Sequence, residues 1–397
     1  MFNMIQKDKS KIKNQKERNP GIDLCRVLGM IDINEFYKSY NIIYHIVIEK
    51  YLLIKYHAYN KQFKFLEILT QWHISNFGII SGIVGFKTNK YSNLVYLYLC
   101  VLFYSLTIHY IIIILLKNRI SLDFNRNIQP RNYYFPLITN NYWYFSTYFV
   151  MYLFLPLINK GISLLDKVNL IIVILSLLGI LFIWKDLMSY NPLKFCSDTS
   201  FTTLLVYYII GAYIGKYHLN NPKKKNIFYY IICVVIFFFF SYITYFLSFY
   251  NGVGKCRLIM KKLFYSRSNS IVMILQSIII VLIFIRIQYN KISNKIINFF
   301  GPFTFSVYLI HNHIDLRHKL FPYLFKNTSP SLSFLYLVIL FISKGTLVFL
   351  SCIILDYFRF FLFKILRIRQ ICINIEQLIF LFFRNIINEK TEIYSSI

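Results

Sequence analysis

Apolar runs recur along this chain, each followed by a short polar break. They fall at 66–86, 93–116, 142–158, 168–184, 200–215, 227–249, 270–286, 296–311 and 334–363. Each is close to the ~20 residues that a helix needs to cross the hydrocarbon core of a bilayer, or slightly short of it. The stretch from Gly21 to Tyr56 supplies one more, interrupted by Asp32, Asn34, Glu35 and Lys38. Ionisable side chains at mid-membrane are costly unless they face a protein interior or a water-filled cavity. The pattern predicts an all-α, polytopic transmembrane bundle of about ten spans.

The breaks carry topological information. Loops fall at 87–93, 119–141 and 251–268, and Asn220, Asn221 and Pro222 make a turn before Lys223, Lys224 and Lys225. Residues 1–20 form a basic tail with Lys7, Lys9, Lys11, Lys13, Lys16 and Arg18, and no apolar signal region follows it. Such a tail beside a first span is expected in the cytosol. An even span count also puts the triple lysine inside, but it places Lys255, Arg257, Lys261, Lys262 and Arg267 outside, against the positive-inside tendency. Residues 21–370 read as one transmembrane domain. Residues 371–397 read as a C-terminal tail, whose 371–383 stretch is apolar, too short to span, and suited to a membrane surface.

Composition sharpens the class. Of 397 residues, 57% are hydrophobic and 15% charged, against roughly 45–50% and about 25% in soluble domains. That excludes an ordinary soluble enzyme, a disordered chain and a disulfide-stapled module. The net charge of +28 points to nucleic acid or an acidic membrane surface. No nucleic-acid-binding module accompanies it, and polybasic loops beside membrane spans account for it. The cysteines, at 25, 100, 196, 233, 256, 352 and 372, show no metal-knuckle or redox spacing. No metal is expected.

Candidate chemistry begins with ionisable residues in apolar surroundings. Arg26 lies three residues after Asp23, on the same helix face. It pairs with a carboxylate or grips a phosphate, unless it merely snorkels at a helix end. His45 and Glu49 are spaced i, i+4, so the carboxylate can orient the imidazole, unless both lie on a surface amphipathic helix. His73 is a lone histidine beside an apolar run, either functional or hydrogen-bonded to a neighbouring helix. His311 and His313 close a late span, while His57, His109, His218 and His318 read as interfacial or loop residues. Lys87 and Lys90 are phosphate-binding candidates or topology signals. Trp143, Tyr144 and Phe145 line a mouth of the bundle or form an interfacial aromatic belt. Asp186 and Asp198 share a loop, and Asp356 is placed to pair with Arg359.

Several stretches resemble the acyltransferase family 3 proteins, polytopic membrane enzymes that often O-acetylate sugars. Residues 21–28 (GIDLCRVL) resemble the family's opening. Residues 77–85 (FGIISGIVG) look like its second span, and Lys87 with Lys90 matches a pair of basic residues common there. Residues 134–136, 142–145 and 154–160 look like the middle of the polysaccharide-acetyltransferase subgroup, and 300–311 (FGPFTFSVYLIH) like the late span. Together these cover 21–367.

The resemblance implies an acyl-CoA donor, acetyl-CoA in the first instance, entering from the cytosol, and a hydroxyl acceptor, first of all on a carbohydrate. It also implies Arg, ten residues, then His in the first span. Eleven helical steps put such residues on one face about 16 Å apart. Here Arg26 is followed eleven positions on by Tyr37, a poor base at neutral pH. His45 is nineteen steps from Arg26 and about 100° off its face, so it takes that role only if 32–38 is a local insertion or an unwound turn. The reading is an integral membrane acyltransferase. Arg26, Lys87 and Lys90 hold the donor, His45 with Glu49 serves as base, and His73 and His311 stand in reserve. The alternatives are a catalytically inactive scaffold of the same family and a transporter. Paired Gly/Pro-interrupted segments that would mark a transporter are absent from the sequence.

Overall fold

The computed structural model describes residues 19–32, 68, 72–87, 90–117, 130–139, 141–184, 200–219, 227–249, 270–287, 289–317 and 334–395. Among them every regular element is helical. In chain order these are α1 (Pro20–Asp32), α2 (His73–Gly85), α3 (Tyr91–Lys117), α4 (Arg131–Tyr134), α5 (Trp143–Leu153), α6 (Leu155–Leu164) and α7 (Lys167–Leu178), which runs on through a π-helical turn at Gly179–Trp184. Then come α8 (Phe201–Tyr217), α9 (Ile227–Phe249), α10 (Ile271–Arg286), α11 (Lys291–Phe300), a 3₁₀ turn at Gly301–Phe303, α12 (Thr304–His311), α13 (Phe334–Ile365) and α14 (Ile368–Ser395).

Three helices are long and apolar enough to cross a bilayer, over Tyr91–Ile114, Phe228–Phe246 and Val338–Ile365. The pair α5 and α6 makes a fourth if taken as one span bent by 62°. The expected ten full-length spans therefore do not appear as ten long helices among the described residues. The reasons are local. Proline lacks the N–H that continues a helix: Pro156 sits at the break between α5 and α6, and Gly301–Pro302 divides the 296–311 run between α11 and α12. Within the 66–86 run the described helix is His73–Gly85. Large apolar side chains such as Phe238, Phe239, Leu347 and Phe358 point outward from α9 and α13, the distribution expected against hydrocarbon.

Helix starts follow sequence rules. Asp166, Ser200, Ser270 and Asn290 each accept a hydrogen bond from the backbone N–H three residues on, capping α7, α8, α10 and α11. The closest helix pair is α2 with α8. Gly78 and Gly82 on one meet Tyr207 and Tyr208 on the other, while Gly211 and Gly215 meet Ile79 and Ile83 on the first, each glycine pair being spaced i, i+4. A Cβ added at Gly211 would lie 1.9 Å from the Ile79 carbonyl oxygen, and one at Gly82 2.0 Å from that of Tyr208. Small residues at this spacing let helices meet backbone to backbone where van der Waals packing replaces the hydrophobic effect.

Polar groups inside are tied to neighbours. Gln276 on α10 donates to Ser241 Oγ on α9 at 2.6 Å, and Ser277 Oγ to the Trp72 carbonyl at 2.9 Å. Lys216 Nζ donates to the Ile162 and Leu165 carbonyls at 2.9 and 2.8 Å, closing the end of α6. Arg367, with φ of +50°, turns the chain from α13 into α14. In α14 the Glu376 carboxylate accepts the Tyr91 N–H at 2.6 Å, a negative charge at the N-terminus of α3.

A membrane-embedded interior and its two ends

α1 and α2 run antiparallel. Asn76 Nδ2 donates to Cys25 Sγ at 2.9 Å, and Gly29 packs against His73 and Phe77. Cys25 and Gly29, one turn apart, carry this contact, and Arg26 turns about 100° away from Cys25. Its charge acts instead on Tyr144 and Tyr148 of α5. The expected pair forms: Arg26 Nη1 donates to Asp23 Oδ1 at 3.0 Å, with the Arg26 side chain 23% exposed. Asp23 is buried under Gly301, where an added Cβ would approach it to 2.8 Å. A carboxylate taken out of water is tolerable only beside such a partner.

His73 is buried at the start of α2. Lys87 and Lys90 are exposed past the other end of that helix. Lys87 Nζ lies 5.1 Å from the Phe86 ring, and the Lys90 carbonyl accepts the Tyr152 hydroxyl at 2.9 Å. Asn76 marks the depth of Cys25, so the lysines stand about 15 Å along the bundle from Arg26. One phosphate cannot meet both, whereas an extended ligand can. His45, Glu49, Tyr37, Asp186 and Asp198 lie outside the described residues.

Residues 142–145 enter the interior at the start of α5. Tyr142 and Phe145 are buried, and Tyr144 packs between Phe77 and Tyr308, ring centroids 6.4 and 6.1 Å away. Tyr142 meets Tyr308 at 6.2 Å. The hydroxyls of Tyr142, Tyr144 and Tyr308 are buried and close no hydrogen bond among the described residues, with Ser81 facing that of Tyr144. The first-turn N–H groups of Tyr144 and Phe145 face the Tyr308 hydroxyl without closing a hydrogen bond on it. A buried unsatisfied hydroxyl costs about 1–3 kcal/mol. Three on rings packed against Tyr308, with the charge of Arg26 acting on Tyr144 and that of Arg317 on Tyr142 and Tyr308, make a cradle suited to a polar guest.

His311 ends α12 and is buried beside Tyr308. Its Nδ1 lies 2.5 Å from the Val307 carbonyl and its Nε2 3.1 Å from Asn312 Nδ2. Two residues on, His313 Nε2 meets the Ser105 carbonyl at 3.1 Å, and its Nδ1 accepts the Asp315 N–H at 3.3 Å.

The structure adds a cluster that sequence reasoning missed. Asp315 is buried; its Oδ1 accepts the Tyr133 hydroxyl at 3.2 Å, and its Oδ2 lies 3.4 Å from His109 Nδ1. The Tyr133 ring stacks on His109 with centroids 3.5 Å apart. Burial, then the Asp315 carboxylate, push the Tyr133 hydroxyl above the ordinary phenol range, so it stays a donor. A signal was available: His109 lies inside the apolar run 93–116, where an ionisable residue is itself a functional hypothesis. Tyr142, whose ring touches the interior cradle, also feels the charges of Arg317 and Asp315, so the two regions adjoin.

Asp356 and Arg359 pair on α13 as expected. The Tyr104 hydroxyl donates to Asp356, and Arg359 donates to the Tyr96 hydroxyl at 3.1 Å. Among the described residues no group of histidines, cysteines and carboxylates is arranged to hold a metal ion.

The family model described as an acyltransferase domain matches residues 20–362. No curated protein and no solved structure matches the chain.

Proposed function

This membrane chain belongs to the acyltransferase family whose domain it matches over residues 20–362, and from that premise we propose that it moves an acyl group, acetyl in the first instance, from acyl-CoA to a hydroxyl of a carbohydrate. The observation that carries the reading is the extent of the match, which runs from the first described helix almost to the end of α13. The geometry supports it. Lys87 and Lys90 offer point charges to the donor's phosphates at one end, and Arg26 offers a guanidinium deeper in. The Tyr142, Tyr144 and Tyr308 hydroxyls, unpartnered in the interior, suit an acyl carbonyl or an acceptor hydroxyl. Attack on the thioester needs a base for the hydroxyl proton. Sequence spacing offers His45 backed by Glu49 as one candidate for it, outside the described residues.

A second reading follows from Tyr37, which stands where the resemblance implies histidine. An inactive family member would bind acyl-CoA and release no thiol. The two separate when membranes containing the chain are given acetyl-CoA labelled in the acetyl group. The proposed enzyme places label in an alkali-labile ester on carbohydrate, and the inactive homologue leaves all label on CoA or free acetate at the background rate. Label arriving instead on lipid hydroxyls would keep the acyl transfer and replace the acceptor.

A further inference from the structure

We propose that His109, aligned by Asp315, is the general base that takes the proton from the acceptor hydroxyl. The inference rests on the acyl-transfer reading above and names its proton acceptor.

His109 lies eighteen residues into α3, and Asp315 arrives from the segment after α12, 206 positions later in sequence. A carboxylate beside Nδ1 favours the tautomer with its proton on Nδ1, which leaves the Nε2 lone pair as the basic site. Asp315 is 3% exposed and fixed on all sides: His109 on Oδ2, the Tyr133 hydroxyl on Oδ1, and His313 on its backbone N–H. The Tyr133 ring sets the plane of the imidazole. The His109 side chain itself remains 22% exposed. Its neighbours are committed elsewhere, since His313 and His311 each have both ring nitrogens engaged. A buried carboxylate, an oriented imidazole and a second nitrogen that meets no partner among the described residues are the elements of base catalysis. The charged and titratable groups facing this imidazole are Asp315 from the segment after α12, Tyr133 from α4 and Tyr110 on its own helix, and His313 approaches the same Asp315 carboxylate at 3.9 Å.

The step balances. The acceptor O–H proton passes to His109 Nε2 as the oxygen bonds to the thioester carbonyl carbon. The C–S bond then breaks, and the departing thiolate takes the proton back from the imidazolium. The products are an ester and a free thiol. His109 stands about 27 Å along α3 from Tyr91, next to the lysines, so the donor's extended thiol arm would run from that end past Arg26 toward the histidine end.

The test uses the purified full chain in lipid nanodiscs with acetyl-CoA, following thiol release across roughly pH 5 to 9. His109→Gln keeps a hydrogen bond to Asp315 and is expected to lower turnover by on the order of 10²-fold and erase the acid limb of the pH–rate profile. Asp315→Asn is expected to lower turnover in the same direction, and His218→Gln to change neither. In the wild-type chain, carbethoxylation mapped by mass spectrometry should modify His109 at the rate at which turnover is lost, which keeps the test intact if a variant fails to fold. Turnover and acid limb retained in His109→Gln, or His109 modified with turnover intact, overturns the base while leaving acyl transfer standing. Loss of the acid limb in His45→Ala alone also overturns it. No thiol release by the wild-type chain removes the acyl-transfer reading and this inference together.

Discussion

Asp356 and Arg359, three residues apart on α13, hold each other at 2.5 Å between Oδ1 and Nε, with both side chains nearly shut off from solvent. Breaking a buried pair by removing one partner costs about 3–5 kcal/mol, because the other charge is left uncompensated. Arg359→Leu or Asp356→Leu alone should sharply lower the thermal midpoint of the purified protein. The double Asp356→Leu, Arg359→Leu variant should recover much of the loss. Equal destabilisation by the single and double changes would contradict a pair that acts as a unit.

The α2–α8 contact makes a paired glycine prediction. Gly211→Ala drives a methyl into the Ile79 backbone, and Gly82→Ala into that of Tyr208. Overpacking of this kind costs about 1–3 kcal/mol or more where backbone must move. Gly161, on α6, has open space around it, so Gly161→Ala should stabilise by up to about 1 kcal/mol through helix propensity. Thermal unfolding of the three variants checks the sign of each.

The interior tyrosines separate function from stability. Removing a buried, unpartnered hydroxyl relieves a desolvation cost of about 1–3 kcal/mol. Tyr308→Phe and Tyr144→Phe should therefore raise thermal stability slightly while lowering acyl transfer. Variants that gain stability with unchanged transfer would mean that the cradle holds nothing the reaction uses.

Arg26 should act mainly on the donor. Arg26→Ala is expected to raise KM for acetyl-CoA about tenfold or more, since charge-assisted contacts contribute roughly 1.5–3 kcal/mol, with a smaller effect on kcat. Arg26→Lys should restore part of the binding, because it keeps the charge and loses the planar fork. Steady-state kinetics with varied acetyl-CoA decides this, and a pure kcat effect would place Arg26 at the reacting atoms instead.

Parts of this arrangement are legible in the sequence because they are local. The Asp23–Arg26 and Asp356–Arg359 pairs follow from i, i+3 spacing, and the helical class follows from the apolar runs. The described residues do not confirm the count of ten spans, since a hydropathy pattern cannot see a break: Pro156 bends one run and Gly301–Pro302 divides another. The His109–Asp315 contact is unreadable for a different reason. Its partners are 206 positions apart, beyond the reach of any local spacing. The interior placement of Tyr144 and Phe145, rather than in an interfacial belt, is likewise decided by how α5 packs against α2 and α12. Aromatic content alone does not distinguish the two.

Thiol release from acetyl-CoA by the purified chain tests the central claim most directly. Saturable release that scales with protein concentration and falls in Arg26→Ala is the expected result. A folded protein that binds acetyl-CoA and releases no thiol above the uncatalysed rate would contradict it, and would leave a family member that kept its donor site without the chemistry.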